Sequence, residues 1–108
     1  MVDFNAAQIN DAVEILVREA RPEKVILFGS YARGDFHEGS DMDFLVIMDR
    51  SVNRGKEMVR LRRALSPMRI PVDIIVKSRT YVKDWGDVPA SFLFNALREG
   101  RVVYEKQS

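Results

Sequence analysis

The sequence predicts an α/β (α+β) fold in which a single sheet carries packed helices. Three observations lead there. Apolar residues near the N-terminus recur at helical spacing. Short apolar, β-branched runs follow at intervals along the chain. The two patterns alternate as helix, strand, helix, strand through to the C-terminus, which is the pattern of one sheet with helices on it. With 108 residues, 46% of them hydrophobic, the chain suits one compact core, so residues 1–108 are expected to form a single domain.

Ile9, Ala12, Val13, Leu16, Val17 and Ala20 make one apolar stripe, predicting a first helix from about Ala6 to Arg21. Asn5 suits its N-cap and Pro22 follows its end. Lys24–Phe28 (KVILF) reads as a buried strand, broken by Gly29. The polar stretch from Ser30 to Ser40 opens with a turn, Ser30–Arg33, that can be helical. Asp43–Met48 (DFLVIM) reads as the second strand. Arg54–Leu65 reads as a second long helix, with Met58, Leu61 and Leu65 inward and Pro67 beyond its end. Ile70–Val76 (IPVDIIV) is the third strand. Ser78–Trp85 suits a helical turn or two, and Pro89–Glu99 a helix stopped by Gly100. Arg101–Tyr104 closes the pattern as a short strand.

Bulk composition excludes more than it assigns. The 17 basic and 16 acidic residues nearly cancel, so direct nucleic-acid binding is not expected from charge. The absence of cysteine excludes disulfides, thiolate metal sites and a cysteine nucleophile, and fits a cytoplasmic location. No apolar run approaches the roughly 20 residues of a membrane helix, and the N-terminus lacks the basic-then-apolar pattern of a secretory signal.

Chemistry is carried by acids in costly places. Asp41 and Asp43 flank Met42 at the mouth of the second strand. Residues two apart on a strand share a face, roughly 6–7 Å apart along the backbone. Two carboxylates so placed repel each other unless a cation lies between them. Asp73 interrupts the apolar run of the third strand, and no basic residue lies within three positions of it. A buried, unpaired carboxylate costs several kcal/mol or more. A shared metal would answer both problems. Oxygen donors, with His37 as the one imidazole, suit Mg²⁺ or Mn²⁺ better than zinc. Three carboxylates on neighbouring strands suit a two-ion site that braces a phosphate under displacement. Gly29 and Ser30, directly after the first strand, suit a close backbone approach to phosphate at the start of a short helix. Metal plus cradle is the equipment of phosphoryl-type transfer.

The run Gly29-Ser30-Tyr31-Ala32-Arg33-Gly34, followed by Gly39-Ser40-Asp41-Met42-Asp43, resembles the nucleotidyltransferase superfamily of DNA polymerase β. That superfamily carries Gly-Ser, ten residues, then Asp-x-Asp, and residues 31 to 40 are the ten here. The Ala-Arg-Gly variant and the short length are similar to the minimal nucleotidyltransferase (MNT) branch. The motif resemblance spans roughly Lys24 to Val76, with Asp73 where the family places its third carboxylate. It implies the nucleotidyltransferase fold, a single mixed sheet. It implies that Asp41 and Asp43 bind two Mg²⁺ ions, or Mn²⁺, and that Asp73 binds one of them and acts near the acceptor hydroxyl, as base or metal ligand. Gly29 and Ser30 would hold the β and γ phosphates of ATP, Arg33 would contact the triphosphate, and Ser40 would support the nucleotide-binding loop. The branch further implies a HEPN-family toxin as partner. AMP would pass from ATP to a tyrosine of that RNase, and the chain would serve as its antitoxin. A small-molecule acceptor of the aminoglycoside kind, with the chain as a homodimer, is the alternative enzyme. An antitoxin acting by binding alone is the non-enzymatic one.

Other features have plainer readings. His37 sits in a polar loop and reads as solvated. Tyr31 suits packing or a ligand-lining role. Lys56, Arg60 and Arg63 share a helical face that is solvated by default. Phe92, Leu93 and Phe94 span too wide an arc for one buried stripe, so they pack on two sides or meet a partner, with Tyr81 and Trp85 extending the patch.

Overall fold

A computed structural model describes residues 4–37, 39–89 and 91–107. Helix α1 (Phe4–Ala20) leads into strand β1 (Lys24–Phe28) and the one-turn helix α2 (Ser30–Arg33). Strand β2 (Met42–Met48) is followed by helix α3 (Arg54–Leu65), a 3₁₀ turn (Ser66–Met68) and strand β3 (Val72–Ser78). Helices α4 (Arg79–Trp85) and α5 (Phe92–Glu99) precede the last strand, β4 (Arg101–Glu105). The four strands form one sheet in the order β3-β2-β1-β4. β1 runs antiparallel to both β2 and β4, while β2 and β3 are parallel, so the sheet is mixed as expected. The parallel pair requires a crossover, and α3 supplies it.

The sheet is covered on both sides. Met42, Phe44, Val46 and Met48 of β2 point, with Val25, Leu27, Ile74 and Val76, into a core closed by Ile9, Ala12, Leu16 and Ala20 of α1 and Leu61 and Leu65 of α3. The opposite face packs Ile26, Leu45 and Ile47 against Leu93, with Tyr81, Val82 and Leu97 alongside. A central strand buried on two faces reads as an unbroken apolar run, and FLVIM, Phe44 to Met48, is such a run. Period-two alternation then assigns Asp43 to the face of Leu45 and Ile47, the side of α4 and α5.

Local chemistry explains where the elements depart from the expected bounds. α1 ends at Ala20, because Arg21 takes a left-handed φ of 47°. Arg50 donates to the Ala20 carbonyl at 2.8 Å and the Arg21 carbonyl at 3.2 Å, closing the helix end with a cation. α1 also starts at Phe4, so Asn5 lies inside it rather than at its cap. β3 starts at Val72, two residues later than expected, after Pro71, and continues to Ser78. Ser78 then caps α4 by accepting from the Tyr81 amide at 3.1 Å. α5 starts at Phe92 instead of Pro89, because Ser91 caps it through the Phe94 amide at 3.0 Å. Among the described residues no helix is long and apolar enough to cross a membrane.

Candidate functional site

The parallel register sets Asp43 of β2 directly beside Asp73 of β3. Adjacent strands lie about 4.8 Å apart, so the two carboxylates share one face at neighbouring positions. On its other side Asp43 pairs with Phe28, the last residue of β1. Asp41 precedes β2 by one residue and is exposed. Burial raises the Asp43 carboxyl above its ordinary value, and the negative charges of Asp73 and then Asp41 push it further the same way. Arg33 acts in the opposite sense. Asp43 thus stands beside Asp73 in the register and two residues past Asp41, and both negative charges bear on its carboxyl.

Asp73 differs from expectation in its surroundings. Its side chain is 43% exposed, and Arg62 of α3 binds its Oδ1 at 2.8 Å. The cause is topological. β3 is an edge strand, so a long side chain from the helix across the crossover can reach its carboxylate. The costly buried, unpartnered acid read from the sequence is thus a half-exposed, paired one. Among the described residues no three His, Asp or Glu side chains are close enough, as placed, to form a closed metal shell. The donor set itself suits a hard divalent cation: oxygen donors only, with Asp43 held at an uncomfortable charge density by its neighbours.

Gly29 shows why its side chain must be absent. Its φ is +75°, a left-handed conformation, and a Cβ there would run into Asp43 Oδ2. The glycine thus lets the β1–α2 turn close directly over the carboxylate. The Ala32 and Arg33 amides both donate to the Gly29 carbonyl at 3.1 Å, which folds the first turn of α2. The Ser30 and Tyr31 amides stand outside that helical ladder, at the end where an anion is favoured.

A cleft of about 420 Å³ opens beside this turn. Gly29, Ser30, Arg33 and Asp43 line one part of it, and Phe92, Asn95 and Glu99 of α5 line another. Phe92 stands edge-on to Phe28 with ring centroids 5.3 Å apart, and it is 47% exposed. Glu99 faces Arg33 at 3.8 Å, and Asp35 takes the same guanidinium at 3.2 Å. The α5 residues are the part of the site that sequence reasoning missed. Their one signal was the exposed aromatic of the Phe92-Leu93-Phe94 run, in which Leu93 alone is fully buried.

The remaining residues have structural duties. Ser40 Oγ accepts the His37 amide at 2.9 Å, and the Ser40 amide donates back to the His37 carbonyl at 2.9 Å. Ser40 therefore shapes the loop that delivers Asp41. Tyr31 stacks on Phe36, with centroids 4.6 Å apart and planes 2° from parallel, and packs on the core. Lys56, Arg60 and Arg63 are exposed on α3, where Arg60 pairs with Glu57 and with Glu19. Tyr81 and Trp85 stack at 6.0 Å on the outside of α4.

Comparison with known proteins gives the family and the fold. The family profile described as Polymerase beta, Nucleotidyltransferase matches residues 10–108. A Methanocaldococcus jannaschii protein with the provisional name protein adenylyltransferase is 37% identical over 84 residues, which is 78% of this chain and 80% of that relative. Among solved structures, a chain of a toxin–antitoxin complex crystallised with AMP-PNP aligns with a TM-score of 0.63 at 22% identity, covering 90% of this chain and 73% of that one. A chain from the complex of tri-AMPylated Shewanella oneidensis HEPN toxin with its MNT antitoxin aligns with a TM-score of 0.61 at 16% identity, over 94% of this chain and 72% of that one. At these identities the structural likeness establishes the fold.

Proposed function

Because the chain belongs to the polymerase β nucleotidyltransferase family, we propose that it transfers AMP from ATP to a protein hydroxyl. The acceptor is a tyrosine of a HEPN-type RNase toxin in the cytoplasm, and the chain is that toxin's antitoxin. The observation that carries the chemistry is Asp43: it stands between the Gly29-Ser30 turn and Asp73, on the wall of a nucleotide-sized cleft. A protein acceptor is supported by the name of the archaeal relative, protein adenylyltransferase, and a HEPN toxin by the AMPylated HEPN toxin in the structural neighbour; the tyrosine is what the MNT resemblance implies.

In this reading the acceptor oxygen attacks the α-phosphorus of ATP. A new O–P bond forms as the bond to the bridging oxygen breaks. Pyrophosphate leaves with the electron pair, and the hydroxyl proton passes to a carboxylate or to water. Ser30 and the first amides of α2 orient the β and γ phosphates, and Arg33 balances their charge. Phe92 offers its exposed ring to the base. Asp41, Asp43 and Asp73 would hold Mg²⁺ or Mn²⁺, which when bound neutralises the triphosphate and polarises the phosphate under attack. Asp73, which Arg62 binds in this structure, would take that role in place of the ion pair.

The direct test incubates the purified chain with α-labelled ATP, Mg²⁺ and a HEPN-family protein. Label on the HEPN protein, lost in the Asp41→Asn/Asp43→Asn double variant, is expected. No transfer in Mg²⁺ or Mn²⁺ would overturn the enzymatic reading. Toxin neutralisation in cells by that double variant would favour binding alone.

A further inference from the structure

Glu99 is the last residue of α5, and it lines the same cleft as Ser30 and Arg33. Both placements work against a carboxylate. The C-terminal end of a helix carries partial negative charge, which favours a cation there. The cleft is also where a triphosphate would bring its own negative charge. The contact that Glu99 makes gives its presence a use: its Oε2 faces Arg33 Nη1 at 3.8 Å. We propose, on the transfer reading above, that Glu99 is a positioning residue that competes with the β and γ phosphates for Arg33, so that the cleft releases pyrophosphate after transfer.

The geometry of Arg33 suits such an exchange. Asp35 holds the guanidinium by its Nε at 3.2 Å and does not line the cleft. Nε is thus anchored, while Nη1 is turned toward Glu99 on the cleft wall. The Arg33–Glu99 pair is long, and both side chains are about half-exposed, so water and salt screen it. A diphosphate group brings more charge and can take a guanidinium through two short, parallel hydrogen bonds. It therefore displaces one loosely held carboxylate.

Once displaced, Glu99 remains near the phosphates as a like charge, and like charges at short range repel. ATP tolerates this because its other end is held as well, with Phe92 offered to the base and Asp43 beside the phosphate under attack. Pyrophosphate has only the cradle of Ser30 and Arg33. The same repulsion therefore costs the product more of its occupancy than it costs the substrate, and Glu99 returns to Arg33 as pyrophosphate leaves. A pair that merely braced α2 against α5 would act with the opposite sign. Its removal would loosen the cleft and weaken nucleotide binding.

The test follows displacement of a fluorescent ATP analogue, in the presence of Mg²⁺, by ATP, pyrophosphate and AMP. Glu99→Gln should bind ATP and pyrophosphate roughly two- to fivefold more tightly, the scale of one exposed ion pair. AMP, which lacks the β and γ phosphates, should bind as before. Glu99→Asp keeps the charge and should match the unaltered chain. Added to Arg33→Gln, the Glu99→Gln change should lose most of its gain, because its route to the phosphates is gone. In transfer assays Glu99→Gln should lower the KM for ATP and make pyrophosphate a stronger product inhibitor. Weaker or unchanged ATP binding in Glu99→Gln would overturn the competition and leave a structural brace. Equal tightening for AMP, or a full gain without Arg33, would overturn it too. Failure of the unaltered chain to bind ATP at all would instead overturn the transfer reading, and the role of Glu99 with it.

Discussion

Burial and two neighbouring carboxylates raise the Asp43 carboxyl above its ordinary 3.8. A group raised in the folded state favours folding below its unfolded value, and that contribution is lost as pH rises through the folded value. At neutral pH the ionised side chain therefore works against the fold. Asp43→Asn should raise the Tm by a few degrees at pH 7, with the gain shrinking as the pH falls toward 4. The same change should lower the transfer rate by roughly 10²–10³-fold. Thermal melts across pH check the first outcome and labelled transfer the second. Identical melts at pH 7 would mean that the acids do not act on one another. The acid itself was legible from spacing, since residues 41 and 43 fall at the mouth of the second strand at a fixed distance from Gly29-Ser30. Its partners were less so. Arg62 lies eleven positions before Asp73, and no local pattern pairs them.

α5 illustrates how an element that lacks any motif builds the site. Its cap, Ser91, accepts the Phe94 amide, and the helix then presents Phe92, Asn95 and Glu99 to the cleft. Ser91→Ala should cost about 1 kcal/mol of stability, the usual value of a lost N-cap, and should also weaken nucleotide binding. Asn53 caps α3 equally, accepting from the Lys56 amide at 3.1 Å, but α3 is no wall of that cleft. Asn53→Ala should therefore cost similar stability and leave nucleotide affinity unchanged. Denaturant unfolding and nucleotide titration of both variants separate the two effects. Matching losses of affinity would remove α5 from the site. Helix and strand bounds were legible wherever period and punctuation agreed, as at Lys24–Phe28, Ser30–Arg33 and Arg54–Leu65. They slipped at β3 and α5, where prolines stood near both starts. The serine at position 91 and the pairing of β2 with β3 decided the bounds there.

At the scale of the molecule, Asp43, Asp73, the Gly29-Ser30 turn and α5 meet at one end of one sheet. A ligand bound there is held by the folded state alone, so it must stabilise the fold. Mg²⁺ with a non-hydrolysable ATP analogue at a hundred times its Kd should add about 2.7 kcal/mol, a shift of several degrees in Tm. Asp41→Asn should abolish the metal-dependent part of the shift. A melt indifferent to Mg²⁺ and nucleotide would remove the site. The sequence by itself determined the alternation of helices and strands, the Gly29-Ser30 turn and three acids at strand positions, because each depends on residues near one another in the chain. The tertiary structure alone decided that α1 and α3 cover one face and α4 and α5 the other. It alone decided that Asp43 and Asp73 share a register, and that an arginine reaches around the free edge of β3 to hold the latter. Those outcomes depend on strand order and on which face each helix buries, and both follow from contacts between distant segments that no local spacing encodes.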